Sequence, residues 1–198
     1  MSEDTGLSRR RFLAVATTVT GVVGAGFAAV PFISSWQPSA RARALGAPVE
    51  VDISKLEEGA LMKVTWRGKP VSILKRSPDM LARMESSDVE LRDPDSEVDQ
   101  QPVYAQNEFR SIKPELLVII SNCTHLGCVP TSRFEVAPAD LGPDWVGGFF
   151  CPCHGSKFDF SGRVVAGVPA PTNLVVPPYR YADDNTLVIG EDPTEVAS

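Results

Sequence analysis

Two kinds of hydrophobic pattern divide the chain. From Phe12 to Ile33, 22 consecutive residues carry no formal charge, and no polar face recurs along the run. A bilayer core takes about 20 such residues as helix. The apolar part of a removable signal is usually shorter, about 7–15 residues. The pattern therefore predicts a membrane-spanning helix over 12–34 behind a short tail, 1–11. The segment "QPSARARALGAPVE" (Gln37–Glu50) is rich in Ala, Pro and Arg and lacks strand alternation. It reads as a flexible hinge over 35–48. A cleaved signal is the alternative, because "ARA" at Ala40–Ala42 and again at Ala42–Ala44 resembles a small-residue cleavage site.

Beyond residue 49 the apolar runs are short and turns are frequent. "PVEVDIS" alternates as a strand does, and "LMKVTWRGKPVSIL" reads as a hairpin turning at Arg67-Gly68-Lys69. "ELLVIIS" (Glu115–Ser121) reads as a buried strand, and "GGFFCP" as another. "KFDFSGRVV" turns at Ser161-Gly162, and "YRYADDNTLVIG" turns around Asp183–Asn185. Residues 79–99 carry many acids and few large apolar groups, which predicts a solvated helix-and-loop insertion. The sum is an antiparallel all-β head over 49–198.

Composition adds topology. Hydrophobic residues make up 43% of the chain, enough for a packed core. The net charge of -6 argues against a nucleic-acid partner. The charge is uneven: residues 1–47 hold five Arg against Glu3 and Asp4, and the acids lie almost wholly in the head. Ser8-Arg9-Arg10-Arg11-Phe12-Leu13 fits the twin-arginine export pattern. The positive-inside tendency then keeps the N-terminus in the cytoplasm and puts the head across the bacterial inner membrane, in the periplasm.

The chain's four cysteines and two histidines all fall in two hexapeptides, "CTHLGC" from Cys123 and "CPCHGS" from Cys151. Cys123-x-His125 and Cys151-x-x-His154 each offer one thiolate and one imidazole. Cys153 and His154 are adjacent, so in an extended segment their side chains point apart. Cys151 is the better partner for His154. That leaves Cys128 and Cys153, one per loop, to form a disulfide in an oxidising compartment. Two Cys and two His suit either a structural zinc or a two-iron, two-sulfide cluster with both cysteines on one iron. Gly127, Pro130, Pro152 and Gly155 would let backbone N–H groups approach sulfides, and the twin-arginine route suits a cofactor installed before export.

The two hexapeptides resemble the signature boxes of the Rieske iron–sulfur proteins. The extra cysteine pair resembles the branch found in respiratory complex III, the cytochrome bc complex or quinol–cytochrome c oxidoreductase. The resemblance extends over nearly the whole chain, through "ALGAP", "WRGKPV" (Trp66–Val71), "GGFFCPCHGS" and "GVPAPTNL" (Gly167–Leu174). It implies an antiparallel β-sandwich head with a small inserted cluster-binding subdomain, about 121–175. It implies one 2Fe-2S cluster, with Cys123 and Cys151 on the inner iron and His125 and His154 on the outer. Two neutral imidazoles in place of thiolates raise the potential, to roughly -150 to +300 mV.

The resemblance also implies partners: a cytochrome b subunit, a c-type cytochrome subunit, quinol and the lipid bilayer, in a dimeric complex. His154 would contact the quinol hydroxyl and accept its proton, since reduction adds negative charge beside the imidazoles and favours their protonated form. Leu126 would be either an apolar quinone contact or a shield for the cluster. Ser156 would donate to a bridging sulfide, and "GVPAP" would pack over the cluster. The rival readings are a Rieske subunit of another exported oxidoreductase of arsenite-oxidase type, a Rieske oxygenase component, and a zinc-stapled binding module.

Two residues after Ser156, many Rieske relatives carry a tyrosine whose hydroxyl bonds a ligand sulfur; here the residue is Phe158. One net hydrogen bond of about 0.5–1.5 kcal/mol that favours only the reduced state is worth on the order of 20–65 mV. Phe158→Tyr is expected to raise the midpoint potential by that much in a redox titration. An unchanged or lower value contradicts this account of the tuning.

Overall fold

The computed structural model describes residues 3–193. Residues 1–2 of the expected tail and 194–198 of the expected head lie outside the described residues. The chain divides into two compact units, meeting at Ala44 and Leu45.

The first unit is built on α1 (Glu3–Ser34). Its stretch Ser8–Ser34, 27 residues, is long and apolar enough to cross a membrane. At about 1.5 Å per residue it reaches about 40 Å, more than the roughly 30 Å of a bilayer core. Phe12, Phe27 and Phe32 project from it exposed. The expected hinge is not wholly irregular. Seven of its residues form α2 (Ala40–Gly46), capped by Ser39, whose Oγ accepts from Ala42 N at 3.1 Å. "ARARALG" offers no apolar face, so the sequence pattern pointed to linker. A helix this short is below the roughly 12–15 residues needed for stability alone, so little opposes its lengthening.

The head folds as three antiparallel three-stranded sheets, as the turn spacing predicts. β1 (Val49–Asp52) pairs with β9 (Thr186–Ile189), which pairs with β8 (Tyr179–Asp183). The head's first and last strands thus close it. β2 (Leu61–Trp66), β3 (Lys69–Lys75) and β4 (Leu116–Ile120) form the second sheet. Its hairpin turns at Arg67 and Gly68 with φ of 50° and 72°, the primed turn that suits strand twist. β5 (Thr131–Arg133), β6 (Gly148–Cys151) and β7 (Ser156–Phe158) form the third. All five residues of β4 are buried, and they join Val71, Ile73, Phe149, Phe158, Phe160, Leu174 and Ile189 in one core. Cys123 and Cys151 belong to the same core.

The acidic stretch 79–99 is the expected helix and loop, its acids exposed apart from the half-buried Asp93, but it is pinned to the head. α3 (Pro78–Glu85) starts on Ser77, whose side chain accepts from Met80 N, and buries Met80 and Met84. Leu91 then bridges Val165, and Arg92 N donates to the Val164 carbonyl at 3.0 Å. Two methionines and one backbone bridge hold the segment onto the head despite its charge.

Two arginines are buried at the centre. Arg76 donates to the carbonyls of Phe109 (3.0 Å) and Phe160 (3.3 Å) and to the hydroxyls of Ser161 (3.0 Å) and Ser111 (2.8 Å). Arg110 donates to the Ser161 carbonyl at 3.2 Å and to Gln101 Oε1 at 2.9 Å. Burial pushes both guanidinium groups down to about 10, against the pull of Asp159, so both stay charged near neutrality. They act as donors that satisfy loop carbonyls in the interior. Arg76→Met keeps the bulk and strands those acceptors. It is expected to lower unfolding stability by about 3 kcal/mol in a urea titration; a loss below about 1 kcal/mol would mean that the acceptors find other partners.

Candidate metal centre

β4 delivers the chain to the first hexapeptide, and the turn between β6 and β7 is the second. The two loops are built alike. Cys123 carbonyl accepts from Gly127 N at 2.8 Å, and Cys151 carbonyl accepts from Gly155 N at 2.9 Å. The closing glycines have φ of 83° and 79°, a left-handed conformation that other residues rarely adopt. Each loop's ends are paired: Cys123 N donates to Cys128 carbonyl at 2.7 Å, and Cys151 is the register partner of Ser156. Both hexapeptides therefore fold as a cysteine-initiated turn closed by a glycine, with a histidine at its tip.

The tips face each other. The rings of His125 and His154 lie 4.7 Å apart, nearly perpendicular at 86°. Cys128 and Cys153 form a disulfide across the loops, with Cα atoms 6.7 Å apart, as the cysteine arithmetic predicts. Cys123 and Cys151 stay as free thiols, 3% and 1% exposed. Burial pushes the Cys151 thiol up, and the neighbouring Cys123 thiol adds to the shift. The site is thus graded, with thiols against the core and imidazoles toward the surface. His125 is half-buried, and His154 and Leu126 are exposed, Leu126 at 71%.

This donor set fits a thiolate- and imidazole-bound group. His125 Nδ1 is buried and has no hydrogen-bond partner, a cost that a bond to metal would remove. A buried thiol that resists ionisation is one that a cation deprotonates on binding. A different trio, Cys128, Cys151 and Cys153, also has its sulfurs within 4.8 Å of one another. Two of those sulfurs are bonded to each other, which leaves that trio a single thiolate to offer.

The segment Gly167–Leu174 is tied to both loops. Ala170 N donates to Ser156 Oγ at 3.1 Å, and Thr124 Oγ1 donates to Thr172 carbonyl at 2.7 Å. Ser156 is fully buried, and with its oxygen accepting from Ala170 its proton is left to donate elsewhere. Thr124 lies inside the first hexapeptide, but sequence reasoning gave it no role. Its partner is 48 residues away, and only the fold brings them together. Phe158 is fully buried in β7, with Phe149 as its register partner.

Residues 48–180 match the model of the Rieske [2Fe-2S] domain, and residues 1–39 match that of the ubiquinol–cytochrome c reductase Fe-S subunit TAT signal. The ubiquinol–cytochrome c reductase iron-sulfur subunit of Allochromatium vinosum is 64% identical, over 93% of this chain and 89% of that one. The corresponding subunit of Blastochloris viridis is 44% identical over 92% and 93%. Among solved structures, a chain of a hyperthermophilic respiratory Complex III overlaps with a TM-score of 0.47 at 24% identity, over 88% of this chain and 98% of that one. The zinc and oxygenase readings fall to these matches, and the chain belongs to the Rieske iron–sulfur subunits of ubiquinol–cytochrome c reductase and carries a 2Fe-2S cluster.

Proposed function

We propose that this subunit takes an electron from quinol at the cytochrome b subunit, with a coupled proton accepted by His154, and passes the electron to a c-type cytochrome. The observation that carries the reading is the grading of the site: two free buried thiols below, two facing imidazoles above, and one imidazole exposed. Cys123 and Cys151 would hold one iron, and His125 and His154 the other. When bound, the cluster supplies a one-electron acceptor whose potential is raised by having two neutral ligands.

The chain's own residues do the rest. His125 would hold iron through Nδ1, the buried atom that otherwise lacks a partner. His154, at the exposed tip, presents the imidazole nitrogen not bound to iron to a quinol hydroxyl and holds the proton there. Leu126, 71% exposed beside His125, has its side chain free for an apolar contact with quinol. Ser156 would donate its proton to the cluster, because Ala170 N already occupies its oxygen. The disulfide keeps the two loops in register. The subunit works as part of the enzyme, within a dimeric complex.

Delivery calls for movement. α1 is the anchor in the inner membrane, with its N-terminus cytoplasmic and the head periplasmic. The stretch 35–48 is the tether that lets the head exchange partners; its seven α2 residues span about 10 Å as helix and about 23 Å when extended. The arsenite-oxidase type of subunit is the weaker reading, because the N-terminal match is to the ubiquinol–cytochrome c reductase signal.

Reduction that favours protonated imidazole makes the midpoint depend on pH. While both redox states are protonated, the midpoint is flat. Once the oxidised form has lost its proton and the reduced form keeps it, the midpoint falls as pH rises, by about 59 mV per unit for one proton per electron. A redox titration of the membrane-bound subunit between neutral and alkaline pH is expected to show that bend. A level line throughout contradicts proton coupling at the histidines.

A further inference from the structure

Asn173 is fully buried at the base of the Gly167–Leu174 loop. Its Oδ1 accepts from Val164 N at 2.8 Å. Its Nδ2 donates to Asp93 carbonyl at 2.9 Å and to Ser96 Oγ at 3.3 Å. The turn that receives it is itself braced, since the Asp93 carboxylate accepts from Glu97 N (2.8 Å) and Val98 N (3.2 Å). From there the bonds continue. Gln101 Nε2 donates to Ser96 carbonyl at 2.8 Å, and Arg110 Nη2 donates to Gln101 Oε1 at 2.9 Å. Arg110 Nη1 reaches the carbonyls of Ser161 (3.2 Å) and Gly162 (3.4 Å). Leu174 N closes the circuit on Gly162 carbonyl at 2.8 Å. A closed polar ring thus runs under the loop and joins it to the acidic segment and to the turn after β7.

We propose that Asn173 is a positioning residue for electron transfer, holding the Gly167–Leu174 loop against the two cysteine–histidine loops so that water stays off the cluster and the iron stays in place. The proposal rests on the reading that Cys123, His125, Cys151 and His154 hold the cluster. The loop meets those hexapeptides through two bonds, Ala170 to Ser156 and Thr124 to Thr172. Both bonds need the loop's backbone at a fixed height, and the loop has no regular structure of its own to set it. Asn173 sets it, because its amide is the one side chain of the loop bonded to both the 93–96 turn and Val164, the bridge partner of Phe158. Buried polar networks fix one arrangement when fully satisfied. The acids of 79–99, which look like solvent-facing charge, include the clamp's fixed jaw.

The test uses the full-length subunit in its membrane complex, with Asn173→Ala and the milder Ser96→Ala, which removes one bond of the ring. Two readouts are compared with wild type: the coupling of solvent deuterons to the reduced cluster by pulsed electron paramagnetic resonance in heavy water, and the rate at which a chelator removes iron. Both variants are expected to show stronger deuteron coupling. Iron release should be raised by up to about fivefold in Ser96→Ala, the ratio for losing one net hydrogen bond, and by more than that in Asn173→Ala, which loses the bonds to Val164, Asp93 and Ser96 together. Variants less stable to urea yet identical to wild type in deuteron coupling and iron release would overturn the proposal. If Asn173→Ala does not fold, Ser96→Ala decides alone. The wild-type spectrum reports separately on the ligand reading, since a wild-type cluster without histidine coupling would refute that reading whatever the variants do.

Discussion

The chemistry of this subunit depends on two short loops being held face to face. Each loop contributes one free thiol and one imidazole, so the four donors come together only where the loops meet. Three features fix their pairing. Each loop is closed by a glycine amide on its leading cysteine carbonyl. The Cys128–Cys153 disulfide links them across 25 residues of chain, worth about 3–4 kcal/mol in the chain-entropy account. The core takes up the two remaining thiols. Loops rooted in a packed interior at one end and cross-linked at the other keep the two rings 4.7 Å apart without a regular element between them.

The same arrangement explains why polar groups are buried so freely behind the site. Arg76 and Arg110 carry charge into the core and spend their donors on carbonyls of the 159–162 turn. That turn follows β7, which ends the second loop. Interior cations used this way fix backbone that no strand partner reaches. Gly167–Leu174 is secured on the same principle, with Asn173 doing for the loop's base what the arginines do for the turn. The outer face contrasts with this. His154 and Leu126 are left exposed, which suits a surface that must meet partners.

Much of this was legible in the sequence, for identifiable reasons. The hairpin at Arg67-Gly68 was readable because a two-residue turn demands positive φ and supplies a glycine. β4 was readable because five consecutive apolar residues before a polar loop mark a buried strand. The disulfide followed from side-chain alternation at Cys153 and His154. What escaped was structure made by polar groups acting over distance or within their own backbone. β5 is three residues, Thr131–Arg133, with no apolar side chain to signal it. Asp93 looked like one more solvated acid, yet its oxygens cap two backbone amides. Thr124 and Asn173 have partners 48 and 80 residues away, and no local pattern announces such bonds. α2 was hidden in a composition typical of linkers.

The central claim is that one iron is held by sulfur and the other by two imidazoles. Electron–nuclear double resonance on the reduced subunit, prepared with nitrogen-15 histidine, tests it most directly. The account predicts hyperfine coupling to two inequivalent histidine nitrogens. A spectrum without nitrogen coupling, or with a single coupled histidine, would contradict it.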